Sequence, residues 1–197
     1  METMPFLNHL KTMPSYKGQI AHIEHIVPCD ASHGELDEPL HPALDSSLSE
    51  AGLLPLYSHQ AAAVNATRSG KNAMVVTPSA SGKTLCYNLP VLQAILAERG
   101  SRALYLFPTK ALAQDQLRSL GELTSSQLGK VRYATFDGDT PKAERSEIKR
   151  RADIILTNPD MLHLGILPNH QSWSRLLRRL KYVVIDEAHI YRGVFGS

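Results

Sequence analysis

Residues 77–84 read Thr-Pro-Ser-Ala-Ser-Gly-Lys-Thr, a run of small residues closed by a lysine and a hydroxyl. A β-branched run precedes it and an apolar-periodic stretch follows, so it reads as a strand-to-helix loop. Backbone N–H groups in such a loop point inward, and the N-terminus of the next helix favours an anion. The chemistry that fits is phosphate binding. Ser79, Ala80, Ser81 and Gly82 would form the cradle, Lys83 would reach the β- and γ-phosphates of a nucleotide, and the Thr84 hydroxyl would bind Mg²⁺. Thr77 replaces the first glycine of the usual pattern, and a plain turn that happens to contain Gly-Lys-Thr is the structural alternative.

A second group narrows that choice. Val183-Val184-Ile185-Asp186-Glu187-Ala188-His189 is an apolar strand ending in two carboxylates. Asp186 is placed to hold Mg²⁺. Glu187 is placed to orient and deprotonate an attacking water, as phosphate-ester hydrolysis requires. About two dozen residues before the loop stand Tyr57, His59 and Gln60. A Gln amide donates and accepts at once, which matches an adenine edge, and Tyr57 offers a ring to stack or pack beside the base. A plain helix start is the alternative there.

These groups need a scaffold. Short apolar runs at 72–77, 102–107, 131–136, 153–157 and 181–186 predict five strands. Helices are expected at 42–51, at 59–68 behind Ser58 as cap, at 83–99 with a bend at Pro90, at 110–123 and at 141–150, with short ones near 159–164 and 173–179. Strands alternating with helices imply an α/β fold with a mainly parallel sheet. The polar segments TPSASGKT, PTK, DGDT, TNPD and DEAH each sit beside a strand's carboxyl end, where open parallel sheets bind ligands.

The chain has 197 residues, 43% of them hydrophobic, which suffices for one sizeable core and argues against disorder. A net charge of +2 is too small to announce a nucleic-acid partner, so any basic surface is local. Arg175, Arg178, Arg179 and Lys181 read chiefly as a solvated face. Cys29 and Cys86 form no paired motif, and no apolar run reaches the roughly 20 residues of a membrane helix. These features point to a cytoplasmic protein. Residues 1–38 read as an irregular arm with at most one short strand, 19–27. His22, His25, Cys29 and His33 crowd into it without a second ligand pair, so a metal site is not expected.

LYSHQ (56–60), TPSASGKT, FPTKALAQDQ (107–116), DGDT (137–140), TNPDMLH (157–163) and DEAHIYRGVFGS (186–197) occur in that order. Over residues 39–197 the chain resembles the first RecA-like P-loop domain of superfamily 2 DEAD/DEAH-box helicases. Within them it is most similar to the mitomycin-repair, RecQ-related group. The resemblance implies ATP and Mg²⁺ as cofactors, translocation along one DNA strand and a role in DNA repair. It implies a nucleotide clamped against a second RecA-like domain, with His189 coupling the two. It places Thr109, Lys110, Asp137, Gly138, Thr157 and Asn158 near the strand path, although helix capping is the plain alternative for Thr109 and Thr157. RNA stays open as the nucleic acid. The chain stops after the acidic motif, so alone it is expected to be a fragment that binds ATP weakly and hydrolyses it negligibly. A non-catalytic nucleotide- or DNA-binding module that completes a partner is the second reading. A small-molecule phosphotransferase is the third; it has no need of Gln60, TNPD or DEAH.

Overall fold

A computed structural model describes residues 3–25, 30–78, 81–124 and 128–192. The chain divides into two compact units, residues 1–31 and 32–197. The boundary expected at 38/39 therefore moves. Residues 32–38 belong to the second unit because their backbone is tied into it: Ser58 N–H donates to Ser32 O, Gly34 N–H to Leu56 O, and Asp37 N–H to Asn65 Oδ1.

The first unit holds one helix, α1 (Thr3–Thr12), where an irregular arm was expected. None of its residues is buried, although Met4, Leu7 and Leu10 recur at helical spacing. The strand expected at 19–27 does not form over 19–25, and residues 26–27 lie outside the described residues. An extended run with no ladder partner has nowhere to send its N–H groups except water.

In the second unit α2 (Pro42–Glu50), α3 (Ser58–Arg68) and α4 (Lys83–Ala97) precede β1 (Arg102–Leu106). Then come α5 (Lys110–Thr124), β2 (Tyr133–Thr135), α6 (Lys142–Arg151) and β3 (Ile154–Thr157). Two short helices, α7 (Pro159–Met161) and α8 (Ser174–Leu177), lead to β4 (Leu180–Ile185). The sheet has four parallel strands in the order β2-β3-β1-β4. Its α/β class with a parallel sheet is as expected. α3 begins at Ser58 itself, one residue earlier than expected, and its N-terminal flank is Tyr57, whose N–H is taken by Gln60 Oε1 at 2.9 Å.

The fifth expected strand, 72–77, is absent. The run joins no ladder, and Met74 and Val76 are 87% and 85% exposed. β-Branched composition favours a pleated, half-buried surface, but a strand exists only once a partner takes its backbone groups. β4, at the end of the strand order, is only partly buried. Its residues alternate, with Lys181, Val183 and Ile185 exposed.

Two apolar layers clasp the sheet. On one face Ala103, Tyr105, Phe107, Ile154 and Leu156 pack against Leu44 and Leu48 of α2, Leu85, Leu89 and Leu92 of α4, and Leu120 and Leu123 of α5. On the other, Leu104, Leu106, Phe136 and Ile155 pack against Ile166, Trp173 and Leu176. β1 and β3 are buried along their whole length, as central parallel strands require. In the basic stretch 175–181, Lys181 pairs with Glu98 at 2.7 Å, and exposure of both keeps this a surface contact.

Candidate nucleotide and nucleic-acid sites

Register decides which residues meet. Leu106 pairs with Thr157 on one side and Ile185 on the other, and Thr135 pairs with Leu156. The carboxyl ends of all four strands therefore come level. The ladder runs on past them: Phe107 N–H donates to Thr157 O, Phe136 N–H to Leu156 O, and Asp186 N–H to Leu106 O. Thr109, Lys110, the 137–140 loop, Asn158 and the Asp186–Glu187 pair thus emerge along one edge of the sheet.

The phosphate loop is tied down from within. Gly82 has φ 76°, a left-handed conformation that favours glycine, and it starts α4. Gln60 is buried, and its amide bridges two elements: Oε1 accepts from Tyr57 N–H and Nε2 donates to Gly82 O at 3.0 Å. His59 Nε2 lies 2.9 Å from Ser81 O. Thr77 and Ser81 share a hydroxyl–hydroxyl bond of 2.6 Å. Lys83 Nζ curls back onto Thr77 O at 2.9 Å and Pro78 O at 3.4 Å, where an incoming phosphate would compete for it. Ser79 and Ala80 lie outside the described residues.

Tyr57 is exposed, and its ring stacks with both flanking imidazoles, His33 at 5.5 Å and His59 at 5.8 Å between centroids. His33 escaped the sequence reading as a site residue. Only the antiparallel bridge between His33 and Tyr57 brings it there, and no local spacing encodes that bridge.

At the end of β4, Asp186 is half-buried. Burial pushes its carboxyl above the ordinary range, the Glu187 N–H bonded to Oδ1 and the charge of Lys83 pull it down, and the charge of Glu187 pushes it up. Glu187 has φ 48°, the only non-glycine residue with positive φ among the described residues. Such backbone strain persists where the surroundings impose it, commonly at functional sites. His189 Nδ1 sits 3.2 Å from Glu187 Oε2. Two tyrosines not anticipated from sequence flank the acidic pair. Burial raises Tyr87, with the charge of Asp186 adding to it. Burial likewise pushes Tyr191 up to about 12, again with Asp186 adding. Asp186 and the Thr84 hydroxyl are hard oxygen donors of the kind Mg²⁺ takes, and a partly desolvated carboxylate fits a cation beside it. Cys86 is buried, and burial raises its thiol, which suits packing rather than nucleophilic work.

Of the second group of expected residues, Lys110 and Asp137 line a groove of about 470 Å³ between α5 and the 137–140 loop, together with Gln114, Thr135, Asp139 and Thr140 among others. Asp137 is buried and organises the loop as an Asx turn, its Oδ1 accepting from Asp139 N–H and Thr140 N–H. Gly138 is exposed at the tip. Lys110 Nζ reaches Asp139 Oδ2 at 2.5 Å. Arg145, absent from the expected set, holds the loop from beneath: it donates to Asp137 O, Gly138 O and Thr140 O, with its guanidinium 5.4 Å from the Phe136 ring centroid. Thr109 accepts from Leu112 N–H at the start of α5, and Asn158 accepts from Met161 N–H as cap of α7. Thr157 is buried, with its hydroxyl donated to Phe136 O at 2.6 Å. The structure thus brings Lys110 and Asp137 to the groove, leaves Gly138 at the loop tip, uses Thr109 and Asn158 at helix starts, and sets the Thr157 hydroxyl inside the sheet.

Residues 57–197 match the sequence profile of the DEAD/DEAH box helicase family. The chain is 49% identical over 172 residues to the ATP-dependent helicase YprA of Bacillus subtilis, covering 87% of this chain and 23% of that protein. It is 44% identical over 195 residues to the ATP-dependent helicase hrq1 of Schizosaccharomyces pombe, covering 96% of this chain and 18% of that one. Among solved structures, the DUF1998 helicase MrfA bound to DNA and AMPPNP superposes with a TM-score of 0.83 at 49% identity, over 87% of this chain and 24% of that one. The chain therefore spans about a quarter or less of these three relatives. Among the described residues, no helix is long and apolar enough to cross a membrane.

Proposed function

The chain belongs to the DEAD/DEAH box helicase family, and we propose that it forms the ATP-binding half of a motor that moves along DNA in repair. One observation carries this reading: the Asp186–Glu187 pair, within reach of the charge of Lys83 on the Gln60-braced loop, shares a sheet edge with the groove lined by Lys110 and the 137–140 loop. Lys83 releases Thr77 O and Pro78 O to meet the β- and γ-phosphates. Thr84 and Asp186 hold Mg²⁺, which when bound neutralises phosphate charge. Glu187, oriented by its left-handed backbone and by His189, takes a proton from the attacking water. Tyr57 offers its exposed ring to adenine, and Gln60 would exchange its bond to Gly82 for one to the base edge.

On the nucleic-acid side, Lys110, the exposed loop tip at Gly138 and the Thr109 and Asn158 turns meet backbone phosphates, which positions a strand without reading its sequence. DNA is proposed over RNA because the similar MrfA structure contains it. A second RecA-like domain completes the nucleotide clamp and supplies an arginine finger, a contribution of roughly three to five orders of magnitude in related phosphoryl-transfer systems. Alone, the chain binds nucleotide and turns it over negligibly. Its cytoplasmic setting belongs to this proposal and rests on its cysteine usage.

Binding of a fluorescent ATP analogue with Mg²⁺, to wild type and to Lys83→Ala, with and without single-stranded DNA, tests this. Binding by wild type that Lys83→Ala removes supports a working phosphate site. Absence of binding by folded wild type would sink the proposal, and equal binding by both proteins would place the nucleotide elsewhere.

A further inference from the structure

We propose that Tyr87 and Gln116 form the link through which the phosphate loop and the nucleic-acid groove sense each other's occupancy; this rests on the function proposed for those two sites. Tyr87 lies on α4, one turn after Thr84, and its hydroxyl donates to Gln116 Oε1 on α5 at 3.1 Å. α5 begins at Lys110. Its outer face carries Lys110 onto Asp139 and Gln114 onto the Thr135 hydroxyl. One side of this helix thus lines the groove, and Gln116 joins it to the helix that begins at the phosphate loop.

The Tyr87 ring is fixed rather than free. It meets Tyr105 of β1 edge-on, at 5.4 Å between centroids and 84° between planes. Tyr105 is fully buried and is itself held to α4, its hydroxyl donating to Asn88 Oδ1 at 3.0 Å. A ring so gripped leaves the hydroxyl as its adjustable part. Tyr87 follows Thr84 by three residues, so the two side chains share one face of α4.

Thr84, Tyr87 and Gln116 therefore run from the end of the phosphate loop to the middle of α5. The Tyr87–Gln116 bond ties α4 to α5, so whatever shifts the first turn of α4 at Thr84 loads or relieves that bond. By reciprocity, a strand that shifts α5 alters Thr84.

The experiment uses the whole chain. A fluorescent ATP analogue with Mg²⁺ is titrated with and without a saturating oligo-dT, for wild type, Tyr87→Phe, Gln116→Ala and the double variant. Phenylalanine keeps the edge-on packing and deletes only the hydroxyl; Gln116→Ala approaches the same bond from a half-exposed surface position. In wild type the oligonucleotide changes nucleotide affinity by a factor within the usual allosteric range of about 5 to 150. Each single variant reduces that factor by about two- to tenfold, the reach of one neutral hydrogen bond, and the double variant reduces it no further. The affinities for each ligand alone stay within about twofold of wild type. The inference is overturned if Tyr87→Phe and Gln116→Ala keep the wild-type factor, if their losses add, or if wild type binds both ligands without coupling. A fall in single-ligand affinity instead makes Tyr87 a packing residue and also overturns it. Failure of wild type to bind the nucleotide at all defeats the proposed function, and this link with it.

Discussion

The side-chain amide of Gln60 donates to the carbonyl of Gly82 across 3.0 Å, so α3 and the phosphate loop move as one piece. Gly82 is doubly constrained there. Its φ of 76° suits glycine, and a Cβ added to it would sit 2.5 Å from Gln60 Nε2. Gly82→Ala therefore meets both a backbone penalty of about 1–2 kcal/mol and a collision with a buried amide. We expect at least a tenfold loss of ATP-analogue affinity with the melting transition still cooperative. Adding Gln60→Ala removes the collision and leaves the backbone penalty, so the double variant does not regain wild-type affinity. Full recovery in the double variant would show that the clash alone governs the loop.

Asp186 gives a prediction in pH. Burial raises its carboxyl above the ordinary value of 3.8, so the folded protein takes up that proton more readily than the unfolded one. By linkage, the contribution of this group to stability is fully present below the ordinary carboxylate pKa. It is lost as pH rises through the raised value. At neutral pH the ionised group is a net cost. Asp186→Asn, which keeps the acceptor for Glu187 N–H, should raise the melting temperature at pH 7 by roughly 1 to 3 °C. The figure is kept small because the group is only half-buried and solvent screens it. The gain should shrink as pH is lowered towards 4, while Mg²⁺-dependent nucleotide binding is lost at every pH. A lower melting temperature at pH 7 would contradict the sign.

Much of the sheet edge was legible because its chemistry is local. Lys83 and Thr84 follow Gly82 directly, and Asp186 and Glu187 follow an apolar run, so type and spacing suffice. What depended on distant pairing was not legible. The run 72–77 has strand composition, yet nothing in its own residues says whether a ladder receives it, and none does among the described residues. α1 carries Met4, Leu7 and Leu10 at helical spacing, but the stretch is short, follows no cap signal and buries no face. The two ends of the Gln60 amide, the His33 ring beside Tyr57, the grip of Arg145 on the 137–140 loop and the Tyr87–Gln116 bond are consequences of folding. Thr157 shows the limit from the other side: its motif places it at the strand end, and register turns its hydroxyl into the sheet.

Lys110 and Asp139 give a prediction in salt. The lysine meets the carboxylate at 2.5 Å, and that hydrogen bond raises the lysine pKa, with the charge of Asp139 reinforcing it. Both side chains are exposed, so the pair adds little to stability. Its consequence is for binding, because a strand phosphate must displace Asp139 before Lys110 can contact it. Asp139→Asn removes the competitor. We expect tighter binding of single-stranded DNA at low salt and a steeper dependence of log affinity on log salt, by about 0.7 for one added phosphate contact on a single strand. Lys110→Ala should flatten the dependence by a similar amount. Lys110→Ala combined with Asp139→Asn should match Lys110→Ala alone, since without the lysine there is nothing for Asp139 to mask. Fluorescence anisotropy with an oligo-dT across a salt series reads all four proteins. If Asp139→Asn strengthens binding equally with and without Lys110, the aspartate acts by general repulsion of the strand, and Lys110 is not the group it conceals.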